Sequence, residues 1–508
     1  MKKVFVNGEN LSISDVVEVA CGDAMVECNK ATRAKMAKCR KFVDSILDDD
    51  KPVYGINTGF GILSDVKIAH ENLEELQINL IRSHAIGIGE PYDKKTVRAI
   101  MVLRANVLAK GYSGITLETF DKLLEIINKD VVPYIPCQGS VGASGDLAPL
   151  AHLALVLCGE GYVIDESGKQ VDTEKVLREK GIKPVVLKAK EGLALINGTQ
   201  AMTAVGALTI HRVKNLLKLA DIAVTSSLEG IMGTDRAFDR KVNIVRAHPG
   251  QMEVSENVLK LIQGSEIRKS HITCSKVQDA YSLRCSPQVH GAVRDALRHA
   301  EKVIETEINS STDNPLIFPD ELETISAGNF HGEPVGLVMD YLTMAVAELG
   351  SISERRIEQL INPVFSSAPA FLVKNKGLNS GFMIAHVAAA SLVSESKTQC
   401  FPATVDSIPT SAGKEDHVSM GTIAARKCAV VVENTVKVIC MEIFTAMQAI
   451  DFRKPLKPGT GIKAVYNLIR RDVPFLEKDQ FLHPLFMKVL ENEYKIVEIA
   501  QKAVGELN

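Results

Sequence analysis

Apolar residues along this chain follow two different habits, and the change falls near residue 199. Before it, short apolar runs alternate with turn formers. Val4-Phe5-Val6 ahead of Asn7-Gly8 predicts a short strand and turn, and Tyr162-Val163-Ile164 with Gln170-Val171 predicts a small hairpin joined across Glu166-Ser167-Gly168. Spacings of three and four predict helices over 30–49, 71–87, 94–110 and 116–128, after which Pro133 and Pro136 interrupt the chain. Beyond residue 199 the apolar stripes lengthen. Thr199 to about Glu229 contains no proline, and comparable stripes run near 288–311, 333–361 and 415–451. Helices of more than about 25 residues outrun the globular average and suit a bundle, coiled-coil contacts or subunit packing. Residues 418–448 are apolar on several faces, which predicts burial on more than one side. No internal repeat and no low-complexity linker is visible. The expected fold is mainly α: a smaller mixed part over 1–198 and a long-helix bundle over 199–508, forming one continuous unit.

Composition narrows the partners. The 508 residues suffice for a large core, and 46% apolar with 24% charged content is that of an ordinary globular protein. Lysine and arginine number 59 against 62 acids, a net charge of −3 with no basic run of five, so no nucleic-acid partner is expected. The first residues lead into charged and polar sequence rather than an apolar signal segment. No unbroken stretch of eighteen apolar residues follows, so no membrane association is expected either. Ten scattered cysteines without a Cys-x-x-Cys pair read as reduced thiols, which favours a cytoplasmic location. The twelve histidines show no metal-ligand spacing on a common helix face, and no metal is expected.

The densest chemical signal is Gly139-Ser140-Val141-Gly142-Ala143-Ser144-Gly145-Asp146-Leu147-Ala148. Attack of the Gly145 amide nitrogen on the Ala143 carbonyl carbon would close a five-membered ring and expel water. Loss of the Ser144 hydroxyl as a second water would leave a conjugated exocyclic methylidene, an electrophile no ordinary side chain provides. Gly142 and Gly145 permit the sharp turn and close approach that such a closure needs. Taken alone, the same residues also read as Ser144 capping a helix that starts near Asp146. A phosphate loop is disfavoured, because Asp146 stands where that motif wants lysine followed by serine or threonine and would repel phosphate; no nucleotide is expected.

Other motifs surround this run in order. They are Tyr54-Gly55-Ile56-Asn57-Thr58-Gly59-Phe60-Gly61, Ser83-His84-Ala85, Ile196-Asn197-Gly198-Thr199, Gln278-Asp279-Ala280-Tyr281-Ser282-Leu283-Arg284, Gly328-Asn329-Phe330-His331-Gly332 and Lys414-Glu415-Asp416-His417-Val418-Ser419-Met420. Together they resemble the aromatic amino acid ammonia-lyase family from about residue 4 to beyond 450. The resemblance implies the ammonia-lyase and fumarase-like architecture, and a 4-methylidene-imidazol-5-one group formed autocatalytically from Ala143, Ser144 and Gly145. It also implies a homotetramer whose active sites combine residues of more than one subunit.

The resemblance assigns roles that elementary chemistry can weigh. Tyr54 matches the base that removes a β-hydrogen, and a phenol needs a positive or hydrogen-bonding neighbourhood for that task. Gln278, Tyr281 and Arg284 recur every three residues, which on a helix would align them toward one cleft. Tyr281 joins Tyr54 in the catalytic set, and Arg284 matches a bidentate clamp on the substrate carboxylate. Asn197 matches a polar contact beside the prosthetic ring. His84, Phe330 and Glu415 match the residues that recognise the substrate side chain, and Ser83-His84 resembles the pair of the histidine-specific type. The expected reaction is deamination of L-histidine to trans-urocanate and ammonia, the first step of histidine breakdown. A tyrosine-specific lyase or an aminomutase with the same prosthetic group is the alternative. One departure stands out: Gly413-Lys414 replaces the Asn-Gln common before this glutamate, and a lysine there bears on the charge of Glu415.

Overall fold

Helices dominate the computed structural model, which describes residues 2–47, 52–274 and 277–508. The four helices predicted in the first third span Lys30–Leu47, Leu73–His84, Lys94–Ala109 and Leu117–Asn128. Positions 48–49 of the first prediction lie outside the described residues. The helix Lys94–Ala109 is buried at every position from Thr96 to Ala109, so it carries polar side chains only where they find partners. Arg98 donates to the Val19 carbonyl at 2.8 Å, and Asn106 accepts the Gly8 amide at 2.9 Å while donating to the Ile308 carbonyl at 2.9 Å.

The strand Lys2–Phe5 pairs in parallel with Ala24–Glu27, across the helix Ile13–Cys21. That helix opens with a capping box, Ser12 accepting the Asp15 amide and Asp15 accepting the Ser12 amide, and closes at Gly22 with φ +83°. The predicted hairpin is present as Tyr162–Ile164 against Gln170–Asp172, and Val132–Pro133 adds a third antiparallel strand to it.

Two compact units divide the chain. The first takes Met1–His211, Ala300–Asp340 and Pro402–Arg426; the second takes Arg212–His299, Tyr341–Phe401 and Lys427–Asn508. The predicted long helices are Gln200–Gly230, Ser286–Ile308, Glu333–Ile361 and Gly421–Asp451, and each contributes residues to both units. Glu333–Ile361 is long and apolar enough to cross a membrane by length and composition, and 56% of its most apolar window is buried within the protein. The last long helix starts six residues later than predicted, because residues 415–420 form a loop whose Met420 takes a left-handed φ of +52°.

The core of the second unit is tied by buried charge. Arg356, fully buried, donates to both oxygens of Glu442 at 2.6 and 2.8 Å, and the same carboxylate accepts the hydroxyls of Ser227 and Ser353, each at 2.6 Å. These groups come from three of the long helices. Asp221 accepts from Arg294 and Asn257 and meets His290 Nδ1 at 3.0 Å, and burial holds that imidazole below its usual pKa. Arg356→Met should strand the Glu442 carboxylate and destabilise the protein by about 3–5 kcal/mol, whereas adding Glu442→Leu should restore most of that. Urea unfolding checks this; an unchanged midpoint in the single variant would contradict it.

Candidate active site

The strand Pro136–Gln138, paired with Ile88–Pro91, delivers the glycine-rich loop to the start of the helix Leu147–Leu157. Within the loop, Gly142, Ser144 and Gly145 take φ of +79°, +51° and +77°. A left-handed serine costs about 1–3 kcal/mol and persists only where its surroundings over-determine it. Here the Ile196-Asn197-Gly198 segment does so. The Ser144 carbonyl accepts Asn197 Nδ2 at 3.0 Å and the Gly198 amide at 3.3 Å, and the Asp146 amide donates to the Gly198 carbonyl at 2.7 Å. A Cβ on Gly145 would lie 2.1 Å from the Gly198 oxygen, so only glycine fits.

Asp146 fixes the far side of the loop. Its fully buried carboxylate accepts the Met202 amide at 2.8 Å, Ser140 Oγ at 3.1 Å and the Thr422 hydroxyl. Burial raises its pKa, and those donors oppose the rise. Ser144 caps no helix. Asp146 holds the N-cap position without a side-chain bond to its own helix, and Ser144 Oγ donates instead to Glu415 Oε1 at 3.1 Å.

A cavity of about 870 Å³ opens above Ser144, and Tyr54, His84, Asn197, Phe330, Lys414 and Glu415 also line it. Ala143 and Gly145 flank Ser144 in the loop beneath. Tyr54 sits in a turn where Gly55, at φ +72°, leaves no room for a Cβ beside Leu193 and Pro315. Burial raises the Tyr54 pKa, a hydrogen bond with the Gly61 backbone opposes this, and the Glu415 charge adds to the rise. His84 ends the helix Leu73–His84 with Nδ1 at 2.7 Å from the Leu80 carbonyl. Donation there assigns the proton to Nδ1 and leaves Nε2 as an acceptor. Asn197 is 2% exposed, and its Oδ1 is buried with no partner among the described residues. Its carbonyl accepts both Arg104 terminal nitrogens at 2.9 and 3.1 Å, and full burial pulls that guanidinium down to about 10. The motifs contained Asp146 and Gly198 without showing what they hold, and nothing in the sequence singled out Arg104, one of four basic residues in its helix.

Glu415 lies six residues before the helix Gly421–Asp451 and is no first-turn acid. Gln278, Tyr281 and Arg284 belong to the second unit and do not line this cavity. The local helix there is only Tyr281–Arg284 and its N-cap is Ala280, so Gln278 precedes it and the expected single line is not formed. Pro287 stands in the first turn of the next helix, Ser286–Ile308. The Arg284 guanidinium stacks 4.5 Å from the Tyr281 ring, and its Nε is buried with no partner among the described residues.

Three possible metal ligands meet although no helix spacing announced them. His331, Glu333 and His417 bring ligand atoms within 4.8 Å of one another. Both ring nitrogens of His331 have partners there: the Glu333 amide at 3.3 Å and the His417 carbonyl at 3.2 Å. The rings of His331 and His417 stack at 5.8 Å, so the group ties the Phe330 loop to the Glu415 loop.

Residues 11–471 match the aromatic amino acid lyase family. The chain belongs to that family. Membership makes it a carbon–nitrogen lyase by class. A histidine ammonia-lyase of Myxococcus xanthus is 51% identical over 481 residues, covering 95% of this chain and 94% of that protein. The crystal structure of histidine ammonia-lyase from Trypanosoma cruzi matches with a TM-score of 0.92 at 43% identity, over 99% of this chain and 96% of that one. A tyrosine aminomutase from Streptomyces globisporus matches with a TM-score of 0.94 at 36% identity, over 100% of both chains. Family members of different reactions thus share this backbone, and side chains must decide between them.

Gly145→Ala should destabilise the protein by about 1–3 kcal/mol, since the methyl group meets backbone and the φ disfavours alanine. The thermal midpoint checks this; a midpoint equal to the parent's would show that the close approach to Gly198 is dispensable.

Proposed function

We propose that this protein deaminates L-histidine without oxidation, giving trans-urocanate and ammonia, at the cavity above Ser144. Glu415 carries the reading: its Oε1 lies 3.1 Å from Ser144 Oγ, in the same cavity as His84. Two polar groups beside the reacting centre suit an imidazole and penalise a hydrocarbon ring, because a half-buried carboxylate that a phenyl ring covers loses about 1–3 kcal/mol of hydrogen bonding. The names of the relatives at about 50% identity support the same substrate.

Ala143, Ser144 and Gly145 fit the precursor of 4-methylidene-imidazol-5-one, since the left-handed Ser144 and the absent Cβ of Gly145 allow a tight local closure. Once formed, that group supplies an electrophile for the substrate amine. Asn197 Nδ2 and the Gly198 amide hold the Ser144 carbonyl from two directions, as donors placed for developing negative charge. Asn197 Oδ1, which has no partner among the described residues, is an acceptor for the substrate ammonium. The Tyr54 phenolate oxygen takes a proton from the β-carbon, while His84 Nε2 and Glu415 Oε1 hold the imidazole and Phe330 walls it. Arg284, which does not line this cavity in its own subunit and whose Nε lacks a partner among the described residues, is read as reaching it from a second subunit to bind the substrate carboxylate, with Gln278 and Tyr281 beside it. The reading includes a homotetramer with shared sites, supported by the exposure of Tyr281 at 71%. It further includes a cytoplasmic location and no requirement for metal or nucleotide.

The mature chain should weigh two waters (~36 Da) less than its sequence, and Ser144→Ala should abolish both the deficit and turnover. Intact mass decides this, and an active protein of unmodified mass would refute it. Tyr54→Phe should lower kcat by about a hundredfold or more with little change in KM. Because the Tyr54 pKa is raised, the basic form grows as pH climbs, so kcat/KM should still be rising on the alkaline side of neutrality. A profile that falls there would remove Tyr54 as the base. Comparing kcat/KM for histidine, tyrosine and phenylalanine tests the substrate, and a β-amino acid product in place of urocanate would establish an aminomutase.

A further inference from the structure

We propose that Thr410 is a positioning residue for Glu415, anchoring one carboxylate oxygen so that the other is presented to the substrate ring. The assignment rests on the reading of Glu415 as a substrate contact. Thr410 Oγ1 donates to Glu415 Oε2 at 2.7 Å, while Glu415 Oε1 accepts Ser144 Oγ at 3.1 Å. The proposed maturation removes the Ser144 hydroxyl as water. Oε1 then loses that donor, and Oε2 keeps Thr410. The two oxygens thereby acquire separate tasks.

The local backbone is built for this division. Thr410 and Glu415 face each other across a bridge, the Thr410 amide donating to the Glu415 carbonyl at 3.0 Å and the Glu415 amide returning a bond at 3.4 Å. Between them Ser411, Ala412 and Gly413 take φ of +49°, +54° and +84°. The turn closes through the Gly413 amide on the Thr410 carbonyl at 3.0 Å and the Lys414 amide on the Ser411 carbonyl at 3.2 Å. Two successive left-handed residues that are not glycine mark a loop held against its preference, as at sites where geometry matters more than stability. The backbone bridge fixes where the Glu415 Cα sits but not how its carboxylate turns. That terminal torsion is broad and two-fold, so a side-chain anchor must select the orientation.

Steady-state kinetics on L-histidine should compare the parent, Thr410→Val, Thr410→Ser, Glu415→Gln and the Thr410→Val/Glu415→Gln double variant, with intact mass and thermal midpoint measured for each. Thr410→Val should lose about tenfold or more in kcat/KM while keeping the mass deficit and a midpoint close to the parent's. Thr410→Ser, which keeps the hydroxyl, should recover to within about threefold of the parent. In the Glu415→Gln background the valine change should cost no more than about twofold, since the group it positions is already lost. If Thr410→Val matches the parent while Glu415→Gln is impaired, the positioning role is overturned and the site reading stands. Equal losses in the valine and serine variants with a lowered midpoint would also overturn it, in favour of a plain structural role. A parent with an intact ring and no histidine turnover would defeat the site reading and this inference together.

Discussion

Gly145 and Gly198 pass each other with no space for a side chain on either. A Cβ on Gly145 would meet the Gly198 oxygen at 2.1 Å, and a Cβ on Gly198 would meet Gln200 Oε1 at 2.6 Å and Thr312 Oγ1 at 2.8 Å. This approach holds Ser144 in its left-handed conformation and turns its carbonyl toward Asn197. Much of the surrounding structure keeps the two backbones together. Arg104 reaches from the buried stretch Thr96–Ala109 of its helix to the Asn197 carbonyl, and Asp146 gathers Met202, Ser140 and Thr422. The Met420 amide bonds the Val141 carbonyl at 2.9 Å, and Ser419 packs where a Gly142 Cβ would be. A strained serine is tolerable because so many independent bonds would have to break to relax it.

The same logic explains charge in so apolar an interior. Arg104, Asp146, Arg356 and Glu442 are all fully buried, and each would be costly alone. None is alone. In the first unit the buried polar groups converge on the glycine-rich loop. In the second they join the long helices, with Arg356 also reaching the Ser282 carbonyl at 3.3 Å, inside the short helix that carries Tyr281 and Arg284. Hydrophobic burial gives these units their mass of stability, and the polar networks select one arrangement of the helices that apolar packing alone would leave degenerate.

Periodicity revealed four helices in the first third and the four long ones, because an amphipathic stripe is written into the order of residues, but it passed over others such as Ile13–Cys21 and Met383–Gln399. It could not reveal where a helix yields to tertiary bonds. Residues 415–420 are patterned like the helix that follows, yet the bridge from Thr410 draws Glu415 into a loop and Met420 adopts a left-handed φ. Spacing by three suggested a helix through Gln278, but the chain is extended at Ala280 and turns only at Tyr281. The strand Ala24–Glu27 was invisible because its four residues gain meaning only beside Lys2–Phe5. The cavity residues Tyr54, His84, Ser144, Asn197, Phe330 and Glu415 were legible through motif resemblance, which carries family geometry that composition and spacing lack. The partners that hold them, Arg104 and Thr410 above all, were not, because a buried arginine or a threonine five residues upstream has no local signature.

Glu415 also sets a tension that the cavity must resolve. Its charge suits an imidazole, and the same charge raises the pKa of Tyr54, whose burial already raises it. Both effects therefore disfavour the phenolate on which the proposed β-proton removal depends. A substrate that brings an ammonium and an imidazole places positive or hydrogen-bonding groups near both, which offsets the carboxylate and expels the water competing for the phenol. Under the proposed reaction, the electrostatics that recognise the side chain thus hold the base inactive until the side chain arrives. An uncharged hydrocarbon ring supplies no such compensation beside Glu415, so it would bind less well and also leave Tyr54 a poorer base.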